Sequence, residues 1–138
     1  MYLINDVSTD ISNPPPKGGE SGLTTSSYSA ELQKQLAKKY TDLRPIVVQV
    51  SIDQALAKII KYIKKDSLMI QKSYDKQKQL IHAVSTTFLL RFKDDVVFRL
   101  EAITPKQTKI DIRSSSRVGR SDFDANYKRI KVIEKALS

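Results

Sequence analysis

The sequence contains no cysteine, no tryptophan, one histidine and only four glycines in 138 residues. Without cysteine there is no disulfide framework, no thiolate metal site and no cysteine nucleophile. A single histidine, His82, excludes multi-histidine metal centres and any mechanism that needs two imidazoles. Aromatic residues make up 7% of the chain. They include no pair spaced for base stacking, and neither a zinc module nor a recognition helix is present, so nucleic acid is a poor fit. No glycine-rich phosphate loop, dinucleotide fingerprint or metal-ligand spacing occurs, and no cofactor is expected. No apolar run is long enough to cross a bilayer. The opening MYLINDVSTD lacks the basic-then-apolar order of a signal peptide. The chain therefore reads as soluble, with an envelope-facing position following only if an anchor lies upstream.

What the chain does have is positive charge, unevenly distributed. The net charge is +9, yet residues 1–45 carry five basic and five acidic side chains, so all of the excess lies in residues 46–138. A basic folded part favours an anionic small molecule, an anionic lipid headgroup or an acidic protein surface. A solubility role for the lysines is the plainer alternative. With 40% hydrophobic and 28% charged residues the composition is that of an ordinary globular protein.

Residues 1–28 read as an irregular N-terminal arm or linker. Pro14-Pro15-Pro16 favours extended polyproline geometry, and Gly18-Gly19 with the following Ser/Thr run suggests disorder over residues 17–27. Tyr2, Leu3, Ile4 and Val7 are expected to pack back onto the body. Residues 29–138 read as a single α+β domain. Ser29 caps a short helix through Tyr40, and Ile46–Val50 is a strand. Ser51 with Gln54 makes a capping box for a helix whose apolar stripe is Ile52, Ala55, Leu56, Ile59, Ile60 and Ile63. Four strands follow: 68–74, 80–88, one beginning after Asp94-Asp95, and 109–115. Their short turns predict a meander. Ser121 opens a last helix with Phe123, Tyr127, Ile130, Ile133 and Leu137 on one stripe. The expected fold is an antiparallel sheet of about five strands with helices on one face. Alternation puts Arg99, Glu101, Asp111 and Arg113 on the other, solvated face as a cross-strand charge lattice.

Residues 110–126, IDIRSSSRVGRSDFDAN, form the densest polar cluster, at a strand-to-helix junction. Arg113, Arg117, Arg120 and Ser121 stand beside a helix N-terminus, whose free N–H groups favour an anion. Asp94, Asp95, Arg99, Asp111, Asp122 and Asn126 form a supporting polar network. The same acids and bases can pair internally and fasten the last helix to the sheet, and both readings stay open. A hydrolase built on Asp94, Asp95, Arg113 and Ser121 is the alternative. Against it, adjacent carboxylates on a strand point to opposite faces, and no base is positioned for a serine. The expected function is a noncatalytic binding or interaction module, with an enzyme or a weak nucleic-acid binder as alternatives.

Three stretches carry a family resemblance. They are Arg91–Arg99 (RFKDDVVFR), Asp111–Asp122 (DIRSSSRVGRSD) with Asn126 and Arg129-Ile130, and Ile4–Asp10 (INDVSTD). Together they resemble domain-of-unknown-function family 1499, found in bacteria and in some plastid proteins. The resemblance covers residues 4–13 and about 43–137. Asp124 stands where the family usually has Gly, and a Trp often found near residue 67 is absent. The first departure weakens the case for a ligand approaching that helix N-terminus closely, and the second implies a different core. The family name implies no activity. The membrane segments or lipoprotein signals often carried by its members imply an envelope setting.

Overall fold

The computed structural model describes residues 4–119 and 121–138. Tyr2, Leu3 and Arg120, which figured in the sequence expectations, lie outside the described residues. The elements run β1 (Asp6–Ser8), β2 (Lys17–Gly19), β3 (Gly22–Thr24), α1 (Ala30–Lys39), β4 (Ile46–Val48), α2 (Ile52–Lys65), β5 (Met69–Asp75), β6 (Leu80–Thr86), β7 (Lys93–Thr104), β8 (Gln107–Ser116) and α3 (Ala125–Leu137). The fold is α+β, as expected, with a six-stranded antiparallel sheet in the order β1–β8–β7–β6–β5. β4 shares the outer edge of β8 with β1. Ile46 to Val48 pair with Ile110 to Thr108, and Asp6 to Ser8 pair with Ser115 to Arg113.

Local chemistry sets most of these boundaries. The Ser51 hydroxyl accepts from Gln54 N while the Gln54 side chain accepts from Ser51 N, closing the capping box of α2. The Asp75 carboxylate accepts from Lys78 N in the β5–β6 turn, and the Thr104 hydroxyl accepts from Lys106 N between β7 and β8. The i, i+4 stripe of α2 delivers Ala55, Ile59 and Ile63 to one face of the sheet. There they meet Ile81, Val96, Phe98, Ile110 and Ile112, with Ile130, Ile133 and Leu137 of α3 completing the core. α1 joins through Leu36 and through Tyr40, whose ring stacks on Tyr127 at 4.5 Å between centroids.

Several expectations are corrected. Asp94-Asp95 does not precede a strand; both residues lie inside β7, paired with Ser116 and Ser115. α3 starts at Ala125 rather than Ser121. The Asp122 carboxylate accepts from the N–H groups of Asp124 and Asn126, and this turn delays the helix by one revolution. Phe123 therefore leaves the apolar stripe and is exposed, at φ 49°. The first 28 residues are not an irregular arm throughout. Ile4 and Val7 pack back onto the body as expected, Val7 fully buried in β1, whereas residues 17–24, expected to be disordered, form the β2–β3 hairpin with Gly22 at φ 112° in its turn. That hairpin lies over the sheet face opposite the helices. The charge lattice there is covered in part: Arg113 and Asp111 are buried rather than solvated, Arg99 is half-buried, and Glu101 is exposed as expected.

Candidate functional site at the strand-to-helix corner

The alternation of β7 and β8 distributes the predicted polar cluster between two sides of one sheet. Asp94, Ser114 and Ser116 point toward α3, while Asp95, Arg113 and Ser115 point toward the arm. Asp94 and Asp95 are thus back to back, as neighbours on a strand must be.

On the arm side Arg113 is 1% exposed. Its Nε donates to Asp6 Oδ1 at 3.0 Å and Nη2 to Asp6 Oδ2 at 2.8 Å. Nη1 donates to the carbonyls of Pro15 and Ser26 at 3.0 and 2.7 Å. The Tyr28 ring covers the guanidinium at 4.8 Å, and its hydroxyl donates to Asp6 Oδ1 at 2.7 Å. Burial disfavours the Arg113 cation, but the bonds to Asp6 outweigh this and raise its pKa. Burial and the neighbouring Asp6 carboxylate push the Tyr28 hydroxyl pKa up strongly. The only histidine sits in the same layer. His82 Nε2 lies 2.7 Å from Asp95 Oδ1, and Arg117 donates Nε to Asp95 Oδ2 at 2.9 Å and Nη2 to Oδ1 at 3.0 Å. Burial alone would raise the Asp95 pKa; the hydrogen bonds from His82 and Arg117 reverse this and hold it below the usual carboxylate range. The backbone of β2 closes the layer. A Cβ added at Gly18 would come within 2.6 Å of Asp95 Cβ and 2.7 Å of His82 Nε2. Further along, Arg99 Nη2 donates to Asn13 O at 2.9 Å and reaches Asp10 and Asp111, both at 3.4 Å. The Asp111 carboxylate also accepts from the Thr9 hydroxyl at 2.7 Å.

On the helix side Asn126 is the hub. Its Nδ2 donates to Asp122 Oδ2 at 2.8 Å and Ser116 Oγ at 2.9 Å, and its Oδ1 accepts from Ser114 Oγ at 2.7 Å and Arg129 Nη1 at 2.9 Å. Arg129 Nη2 reaches Asp94 Oδ2 at 2.8 Å. Burial raises the Asp94 pKa, and Arg129 offsets this only in part. Next to this network is a cavity of about 40 Å³ lined by Thr87, Phe92, Asp94, Ser116, Val118, Ser121, Asp122 and Ala125. It is a small, half-open cleft with room for water-sized groups.

Of the proposed anion set, Arg113 and Arg117 lie together on the arm side, each gripping a carboxylate, while Ser121 borders the cavity on the helix side. Arg117 keeps 23% side-chain exposure, and its Nη1 is outside the pair with Asp95. Asp94, Asp122 and Asn126 form one network with Arg129, while Arg99 and Asp111 belong to another with Thr9 and Asp10. Sequence reasoning did not identify Asp6, Tyr28, Gly18 and Arg129 as members of the cluster. Asp6 and Arg129 stand within the motifs that carried the family resemblance. Nothing in residue spacing signals Tyr28 or Gly18. Among the described residues no group of three or more His, Cys, Asp or Glu side chains could hold a metal ion, and no helix is long and apolar enough to cross a membrane.

A six-stranded antiparallel sheet with helices on one face and a buried arginine–carboxylate layer on the other defines an α+β class of domain. The chain belongs to the family described as "Protein of unknown function (DUF1499)", whose model matches residues 6–137. No curated protein matches it. Among solved structures it is similar to the di-domain ARO/CYC BexL from the BE-7585A biosynthetic pathway, at 8% identity and a TM-score of 0.45. That likeness covers 67% of this chain and 40% of the other, so the chain spans well under half of that protein's length.

Proposed function

We propose that the chain is a noncatalytic binding or interaction module. The observation that carries this reading is the fit of Gly18 over His82 and Asp95, too close to admit even a methyl group. The only imidazole of the chain is therefore closed off from any substrate by the arm. Ser114, Ser116 and Ser121 lie across the sheet from it. Ser115, on its own side, is buried beneath the arm. Among the described residues, these serines therefore form no pair with His82 that is open to a reactant. The test is hydrolysis of nitrophenyl acetate and nitrophenyl phosphate by the wild type, His82→Gln and Ser121→Ala. The reading expects no turnover attributable to either residue. Turnover lost in one of these folded variants would replace it with the hydrolase alternative.

One observation favours a narrower form in which the corner takes an anion. The Nη1 group of partly exposed Arg117 lies outside its ion pair, at the turn leading to α3. Sulfate or phosphate should then raise the melting temperature of the wild type and leave that of Arg117→Ala unchanged. Equal response of the two proteins removes the anion site and leaves contact through the surface.

A further inference from the structure

The β6–β7 loop carries a run of exposed apolar side chains. Phe88, Leu89 and Leu90, three consecutive residues at its apex, are 74%, 84% and 65% exposed. Single exposed apolar residues are normal in soluble proteins, whereas a contiguous exposed cluster marks a contact site. The loop is firmly built. Thr87 N donates to Phe92 O at 2.8 Å, Arg91 N to Thr87 O at 3.1 Å and Phe92 N to Thr87 Oγ1 at 2.8 Å. Arg91 takes φ 57° to close the turn. The three side chains are therefore displayed on a preformed protrusion, which reduces the ordering cost of binding.

Other exposed apolar groups share this end of the molecule. Phe88 and Val132 border one open groove, and Ala125 lines both that groove and the small cavity beside Thr87 and Phe92. Phe123 is only two positions before Ala125 and is 76% exposed. The surrounding charge is mainly positive, with Asp66 the one acid lining the groove beside Lys128 and Arg129. Arg91 and Lys93 follow the apex, Lys128 lines the groove with Phe88, and Tyr62 connects that groove to the Lys58, Lys61 and Lys65 face of α2.

We propose that this end of the domain docks onto an anionic lipid surface. Phe88, Leu89 and Leu90 enter the boundary between headgroups and acyl chains, while Lys128 and the α2 lysines face the headgroups. A convex apolar tip bordered by cations complements a lipid interface, which supplies an apolar layer beneath negative charge. A recessed protein groove would need to match the tip in shape, and nothing in the cationic border calls for one. The proposal rests on the interaction-module reading and names its partner.

The test is cosedimentation of the full chain with phosphatidylcholine vesicles containing about a third phosphatidylglycerol, and with phosphatidylcholine alone. Binding should require the anionic lipid and weaken as salt rises. The variant Phe88→Ser/Leu89→Ser/Leu90→Ser should bind at least about tenfold more weakly with an unchanged melting temperature, since the replaced side chains are exposed. Because the chain has no tryptophan, the emission of a Leu89→Trp variant reports on the loop alone and should shift to the blue on anionic vesicles. The proposal is overturned if the wild type does not sediment, if the triple variant binds like the wild type, or if the Leu89→Trp emission stays that of an exposed indole. Concentration-dependent dimerisation abolished by the triple variant, without vesicle binding, would give the patch to a second copy and also overturn it. None of these failures touches the interaction-module reading, which falls only to turnover lost in His82→Gln or Ser121→Ala.

Discussion

Arg113 and Asp6, 107 positions apart in sequence, meet in a two-point ion pair at 3.0 and 2.8 Å beneath the arm. Removing one partner leaves the other charge buried and uncompensated. Asp6→Ala should therefore destabilise the fold by roughly 3–5 kcal/mol in urea unfolding. Arg113→Lys should also be destabilising, because one ammonium cannot serve both Asp6 oxygens and two carbonyls. An Asp6→Ala/Arg113→Met double variant should cost less than the sum of its parts. Strict additivity would mean that the pair is not coupled.

The seat of β2 on the sheet makes a second expectation. Gly18→Ala forces the hairpin away from His82 and Asp95, with a cost of about 1–3 kcal/mol from overpacking. Limited proteolysis should then cut faster between residues 17 and 25 than in the wild type. An unchanged cleavage rate and stability would show that the hairpin is only loosely seated.

Acid sensitivity should follow Asp95. Its folded pKa is lowered, because the hydrogen bonds from His82 and Arg117 outweigh burial. Its contribution to stability is then present above the unfolded carboxylate value of about 3.9 and is lost as pH falls through the lower folded value. Asp94 acts in the opposite sense. Burial raises its folded pKa, so its contribution is present below the unfolded value and declines as pH rises through the folded one. The stability gap between wild type and Asp95→Asn should accordingly narrow as the medium is acidified below about pH 4. A gap that stays constant from neutral pH into the acid range would contradict the role given to Asp95.

Asp124 combines a left-handed backbone, φ 68°, with a hydrogen bond from the Tyr40 hydroxyl at 2.6 Å and an ion pair with Lys39 at 3.1 Å. Glycine would relax the backbone and lose the contacts. Tyr40→Phe should lower the melting temperature by loosening α1 from α3. Asp124→Gly should be less harmful, or even stabilising, in the Tyr40→Phe background than in the wild type. Identical effects of Asp124→Gly in both backgrounds would separate the hydroxyl from the carboxylate energetically.

The parts of this fold that were legible in the sequence are those in which local chemistry and period agree. The Ser51–Gln54 capping box, the isoleucine stripe of α2 and the alternation of β7 all specify their structures within a few residues. Beyond the packing of Ile4 and Val7, the arm was illegible because its stability is non-local. Asp6, Thr9 and Tyr28 are polar or isolated, follow no apolar period, and acquire meaning only opposite Arg113 and Asp111. The start of α3 is obscured for a related reason. Ser121 followed by Asp124 resembles a cap, but Asp122 instead supplies the carboxylate that accepts the N–H groups of Asp124 and Asn126. The corner was recognisable as a polar cluster. Its division between two faces was implied by the alternation of β8. The burial of one of those faces was not, since nothing in residues 17–24 announces a hairpin seated on it.

The shared edge of β8 has a consequence for how the protein avoids its own copies. A bare strand edge offers unpaired N–H and C=O groups to any other chain. On β8 that edge is occupied by two short segments, β4 over residues 108–110 and β1 over residues 113–115. The opposite edge, β5, carries exposed Lys72 at a register irregularity between Gln71 and Ser73, which blunts it. β1 thus serves as a guard as well as a clasp. Versions of the domain shortened past Ser8 would expose the β8 edge over residues 113–115 and should associate sheet to sheet.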